Sequence, residues 1–158
     1  MAKSVNNFAF RVVCQRGLLE VVKYLVENFN LTIDDVRSDN NFALRHASVN
    51  RHSEVVTYLA NTFNLTIDDA RSGNDFALLF ACFCRQFEIA TFLVTRFDFT
   101  KENLKNFVIW NINERNVNTI SWYIRKCPIF DCEFIEKLKI DDNKFYKQVM
   151  DDVRKLER

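Results

Sequence analysis

A block of 34 residues recurs along this chain: the segment beginning LTIDDVRSDNNFALRHAS at Leu31 returns as LTIDDARSGNDFALLFAC at Leu65. A fixed period of this length specifies a stack of similar units, each burying its apolar faces against its neighbours, and directs the search for function to an extended surface rather than a central pocket. Phe8, Phe42 and Phe76 open equivalent segments, and Glu20, Glu54 and Glu88 recur within them. A fourth copy is degenerate. Phe99 and Thr100 stand where Leu65 and Thr66 predict them, but the next segment opens at Phe107, three residues early.

Within a copy, Leu44, Ala47 and Ser48 fall at i, i+3 and i+4, a small apolar face suited to close helix contact. Val55, Val56, Leu59 and Phe63 form the face of a second helix, repeated by Val21, Val22, Leu25 and Phe29. The few residues between them force an antiparallel helix pair. In the connector, Thr32 with Asp35 and Thr66 with Asp69 have capping-box spacing, so a short helical turn is expected, with Arg37 and Arg71 near its end and SDNN or SGND supplying the turn that follows.

Chemistry leaves little trace. Two glycines cannot build a phosphate cradle, and no nucleophile elbow or paired His and Cys is present. The pairs Asp34-Asp35 and Asp68-Asp69 recur with the period and read as caps rather than acid and base. Cys14 and Cys82 occupy the position of Ser48, a small buried slot. Cys82-x-Cys84 and Cys127-x4-Cys132 complete no zinc ligand set, with His46 and His52 elsewhere, and the Asn30 and Asn64 sequons are by-products of the repeat. No enzyme activity, metal or cofactor is expected. No run reaches the roughly 18 apolar residues of a membrane span, the N-terminus lacks a secretory signal, and the formal charge of +1 does not suggest nucleic acid. A cytoplasmic, intracellular protein is expected.

The stretches Arg16–Leu25 and Arg51–Leu59 resemble the G-H-L-E-V-V-K-x-L segment of ankyrin repeats, and Phe42–Ser48 stands in place of that family's T-P-L-H-L-A-A. The D-D-x-R connector is similar to ankyrin arrays of large DNA viruses and some protists. The chain departs from the family pattern in two ways. Phe-Ala replaces Thr-Pro at the first helix, and the turn glycine survives only as Gly17, with Arg51, Arg85 and Asn116 at its counterparts. The projecting β-hairpin typical of the family is not expected where a capped turn fills its span.

The expected fold is all-α: an ankyrin-like solenoid of about four helix-pair repeats (3–30, 31–64, 65–98 and 99–127, together 1–127), followed by C-terminal capping helices over 128–158. The resemblance implies binding of a protein partner on the concave face. The positions that vary over the constant frame are the candidates: Gln15 and Arg16, Arg45, Val49 and Asn50, Phe83 and Cys84, and Trp110, Glu114 and Arg115. Phe83 with Trp110 would form an apolar anchor if exposed together, or else pack against the fourth repeat and the cap. The alternative role is assembly. The chain begins in mid-repeat, and its N-terminal repeat face is a candidate for self-association.

Overall fold

The computed structural model describes residues 2–100, 102–104, 147 and 151, with side chains from Asn7 onward. The chain divides into two compact units, Met1–Asp98 and Phe99–Arg158. Within the first, the described elements are helices α1 (Ala2–Gln15), α2 (Leu19–Asn28), α3 (Ile33–Val49), α4 (Ser53–Thr62), α5 (Ile67–Ala70), α6 (Ser72–Phe83) and α7 (Phe87–Arg96). In the second, Thr100 caps a short helical stretch at 102–104 through Asn103, whose Oδ1 accepts from the Thr100 amide and hydroxyl.

Helices α1 and α2, α3 and α4, and α6 and α7 form three antiparallel pairs. The first helices stack as a row, α1 on α3 on α6, and the second helices as another, α2 on α4 on α7. Small residues make the first row tight: Ala43, Ala47, Ala77 and Ala81 are fully buried beside Leu44 and Leu78. Ser48 fills the slot shared with Cys14 and Cys82, its hydroxyl donating to the Leu44 carbonyl at 2.8 Å, as the expectation of a small buried position requires. Burial pushes the Cys14 thiol up to about 12, which leaves it unreactive.

Val55, Val56 and Leu59 of α4 are buried, as are Ile89, Ala90 and Leu93 of α7. Their counterparts in α2 divide: Val22 is buried, whereas Val21 is 42% exposed, because no described repeat precedes it. Leu18, Tyr24 and Phe29 of the same pair, and Phe8 of α1, are exposed with it.

Each pair turns through a Schellman bend in which an amide reaches back five residues: Leu18 to the Val13 carbonyl, His52 to Ala47, Gln86 to Ala81. The bend needs a left-handed residue, and it is supplied by Gly17 (φ 71°), Arg51 (φ 69°) and Arg85 (φ 57°). At Gly17 a Cβ would overlap the His52 ring of the next bend, so glycine is required there by packing as well as by φ.

The connectors are helical turns, and no strand occurs among the described residues. Asp35 Oδ2 accepts from the Thr32 amide and hydroxyl, both at 2.8 Å, and Asp69 treats Thr66 alike. After the capped turn the chain makes three consecutive left-handed residues, Asp39, Asn40 and Asn41 in α3 and Gly73, Asn74 and Asp75 in α6, before resuming a right-handed helix. The composition SDNN and SGND tolerates this conformation. The turn's free groups are taken up from neighbouring elements. Arg45 donates to the Asn40 and Asp39 carbonyls at 2.6 and 3.0 Å, Ser72 to Asn40 at 3.1 Å, and Arg11 ion-pairs with the Asp39 carboxylate at 2.9 Å.

Arg37 does more than favour the end of its turn. Its Nε and Nη2 donate to the two oxygens of Asp69, 2.7 and 3.0 Å away in the following repeat, a bidentate bond onto a buried carboxylate. Arg71 pairs with Asp75 within its own repeat at 2.9 Å.

Candidate interaction surface

The first helix of each repeat presents the positions Phe42, Arg45, His46 and Val49, then Phe76, Leu79, Phe80 and Phe83, at i, i+3, i+4 and i+7, so stacking brings one stripe from each helix alongside the next. The rings run together. Phe42 stacks on His46 with centroids 3.9 Å apart, His46 lies 6.0 Å from Phe76, Phe76 stacks on Phe80 at 4.2 Å, and Phe80 meets Phe83 edge-on at 6.2 Å. Guanidinium groups cover the rings of the following repeat: Arg11 lies 5.6 Å from the centroid of Phe42, and Arg45 lies 5.0 Å from that of Phe76. Partial burial, with the Arg45 charge, lowers the pKa of His46 below the ordinary imidazole value, so the ring joins the stripe as a neutral group at neutral pH. At the turn end the stripe opens to solvent, Phe80 being 37% and Phe83 59% exposed.

Charge is distributed unevenly. The first helices and their bends, 8–17, 42–52 and 76–86, carry Arg11, Arg16, Arg45, Arg51 and Arg85 and no Asp or Glu. The carboxylates lie on the connectors (Asp34, Asp35, Asp39, Asp68, Asp69, Asp75) and on the second helices (Glu20, Glu27, Glu54, Glu88). A net charge near zero therefore conceals a basic face. Arg16, Arg51 and Arg85 are exposed, one at each bend, and make no ion pair or side-chain hydrogen bond among the described residues. Between the second and third bends lies an open groove of about 450 Å³ lined by Arg51, Ser53, Cys84, Arg85, Phe87 and Glu88.

The candidates read from sequence fall into groups. Arg16 and Asn50 are exposed at the bends, Asn50 donating to the His46 carbonyl at 2.8 Å, and Gln15 is half-buried beside them. Cys84 lines the groove, and Phe83, the residue before it, is exposed. Arg45 is committed to the left-handed turn and the Phe76 ring, and the Val49 carbonyl accepts from the Gln86 side chain, so these two shape the surface from beneath. Trp110, Glu114 and Arg115 lie outside the described residues, as do the expected capping helices of 128–158 apart from residues 147 and 151. Sequence reasoning passed over Phe42, His46, Phe76 and Phe80, and treated Arg51 and Arg85 only as glycine substitutes. The signal was the absence of any acid from three segments that recur every 34 residues.

Among the described residues no group of three His, Cys, Asp or Glu could hold a metal ion, and no helix is long and apolar enough to cross a membrane. The three stacked helix pairs define a helical repeat array. A family model for ankyrin repeats (3 copies) matches residues 10–106, and the chain belongs to the ankyrin-repeat family, whose members generally mediate protein–protein interaction and are typically non-enzymatic. No curated protein and no solved structure matches the chain.

Proposed function

We propose that the chain is a non-enzymatic interaction module that binds a protein partner along the face of its first helices, the face expected to be concave in an ankyrin array. The observation that carries this reading is the aromatic stripe of Phe42, His46, Phe76, Phe80 and Phe83, fixed by arginines yet open to solvent at Phe80 and Phe83. A rigid ring with a solvent-facing edge is the kind of anchor that partners bury. Gln15, Arg16, Asn50, Phe83 and Cys84 supply the contacts that differ between repeats, and Trp110, Glu114 and Arg115 are the corresponding candidates in the sequence of the fourth copy. The protein works inside the cell. Affinity capture from its native cells with the wild-type chain and with a Phe83→Ala, Asn50→Asp double variant tests the surface, since unchanged recovery of partners contradicts it.

A second reading rests on a separate observation. Phe8, Leu18, Val21, Tyr24 and Phe29 leave an apolar face on the first repeat, although the counterparts of Val21, namely Val55 and Ile89, are 1% and 3% exposed. Such a face favours self-association. Sedimentation over a range of concentrations separates the two readings: growth in size that Tyr24→Glu abolishes supports assembly, and a constant monomer removes it.

A further inference from the structure

The basic row at the bends carries the functional reading one step further, to the chemistry of the partner. Arg11, Arg37, Arg45, Arg71 and Arg96 are each engaged, by Asp39, Asp69, the turn carbonyls, Asp75 and Asn61 respectively. Arg16, Arg51 and Arg85 are the arginines left over among those described, and they recur one per repeat on adjoining bends. The bends touch: the His52 ring abuts Gly17, the Gln86 amide donates to Val49, and Arg51 and Arg85 line one groove. Phe83, exposed, directly precedes Cys84 of the groove wall in the chain.

The backbone gives two of these arginines, Arg51 and Arg85, an unusual cost. A left-handed residue other than glycine, asparagine or aspartate is strained, and the first bend shows that glycine fits this geometry. Arginine at two of three such bends is a poor choice for folding. It places a cation at the tip of the bend, where the first-helix segments 8–17, 42–52 and 76–86 hold no acid and the nearest carboxylates in sequence, Glu54 and Glu88, make no ion pair with Arg51 or Arg85 among the described residues.

Resting on the protein-binding reading above, we infer that the partner presents a short acidic segment with an apolar side chain, its carboxylates along Arg16, Arg51 and Arg85 and its apolar group on Phe83 and Phe80. Charge complementarity selects the acid, and the exposed rings select the apolar residue. Nucleic acid fits less well. Glu88 on the groove wall sets negative charge beside Arg51 and Arg85, which a long phosphate backbone would have to cross.

The test is selection from a random-peptide library on the immobilised full chain, followed by fluorescence anisotropy of the selected peptides. Arg51→Gly and Arg85→Gly remove the charges while relieving the bends, so weakened binding cannot be ascribed to misfolding if the thermal midpoint holds or rises. Selected peptides should be rich in Asp and Glu around a Leu or Phe. The double glycine variant should weaken them about ten-fold or more, Phe83→Ala by a similar factor, and added salt should weaken them progressively. Peptides without acidic enrichment, or acidic peptides indifferent to both glycine changes, overturn this inference and leave the interaction-module reading standing. Failure to select any peptide overturns both, and binding of a fluorescent single-stranded oligonucleotide that the same glycine changes abolish would put nucleic acid in their place.

Discussion

Asp69 shows how one side chain ties a repeat to its neighbour. Burial opposes its charge, but the Arg37 guanidinium and the Thr66 amide and hydroxyl outweigh that and hold its carboxyl below the usual range. A depressed carboxylate stabilises the fold fully above the unfolded value near 3.8, and that contribution is lost as pH falls through the lower folded value. His46 acts in the same direction at higher pH. Its folded pKa lies below 6.5, so the unfolded chain takes the proton first, and stability falls as pH drops from about 6.5 toward the folded value. Denaturant midpoints measured against pH should therefore decline in two limbs, the upper one flattened by His46→Phe and the lower by Asp69→Asn. At neutral pH, Asp69→Ala should cost about 2 kcal/mol, through loss of both the cap and the bidentate pair. Arg37→Ala should cost less, because Asp69 keeps its Thr66 bonds. At the bends, Arg51→Gly should raise stability by roughly 0.5–1 kcal/mol, whereas Gly17→Ala should lower it by about 2 kcal/mol through the left-handed φ and the His52 overlap. Urea titrations of the single variants check both signs.

At the scale of elements, the helix pairs follow directly from the spacing of Leu44, Ala47 and Ser48 and of Val55, Val56 and Leu59, because burial on a 3.6-residue period leaves one solution. The capped connector is equally readable from Thr and Asp three apart, since the bond is local. The three left-handed residues that follow are not. Asn and Asp signal a turn, but their composition does not say that three successive residues share one conformation, and the bonds that hold them come from Arg11, Arg45 and Ser72, distant in sequence. Asn40→Val should therefore destabilise by more than 1 kcal/mol although the side chain is exposed, a β-branched residue being poorly suited to positive φ. Thermal melts beside an Asn40→Gly control, which should be near neutral, separate backbone strain from lost contacts. The shortened connector before Phe107 lacks three residues, the same number as the left-handed turn.

For the molecule as a whole, the stacking frame was visible in the sequence and the surface was visible only in part. Arg16, Asn50 and Phe83 stood out because they vary. The aromatic stripe did not, since Phe42 and Phe76 are constant and a constant apolar residue reads as core, although stacking leaves their row open at Phe80 and Phe83. Charge segregation was hidden because it appears only when segments 34 residues apart are superposed.

The pairing of Arg37 with Asp69 has a consequence for how such a gene can change. The donor sits at the end of one unit's capped turn and the acceptor at the equivalent turn of the next, so both partners travel inside a 34-residue cassette. A tandem duplication of 31–64 would bring a fresh arginine to face Asp69 and a fresh Asp35 to face Arg37, recreating the joint on both sides without a compensating substitution. A chain lengthened in that way should be purified folded and melt at a higher temperature than the parent, and array length becomes a property that recombination can adjust in whole steps.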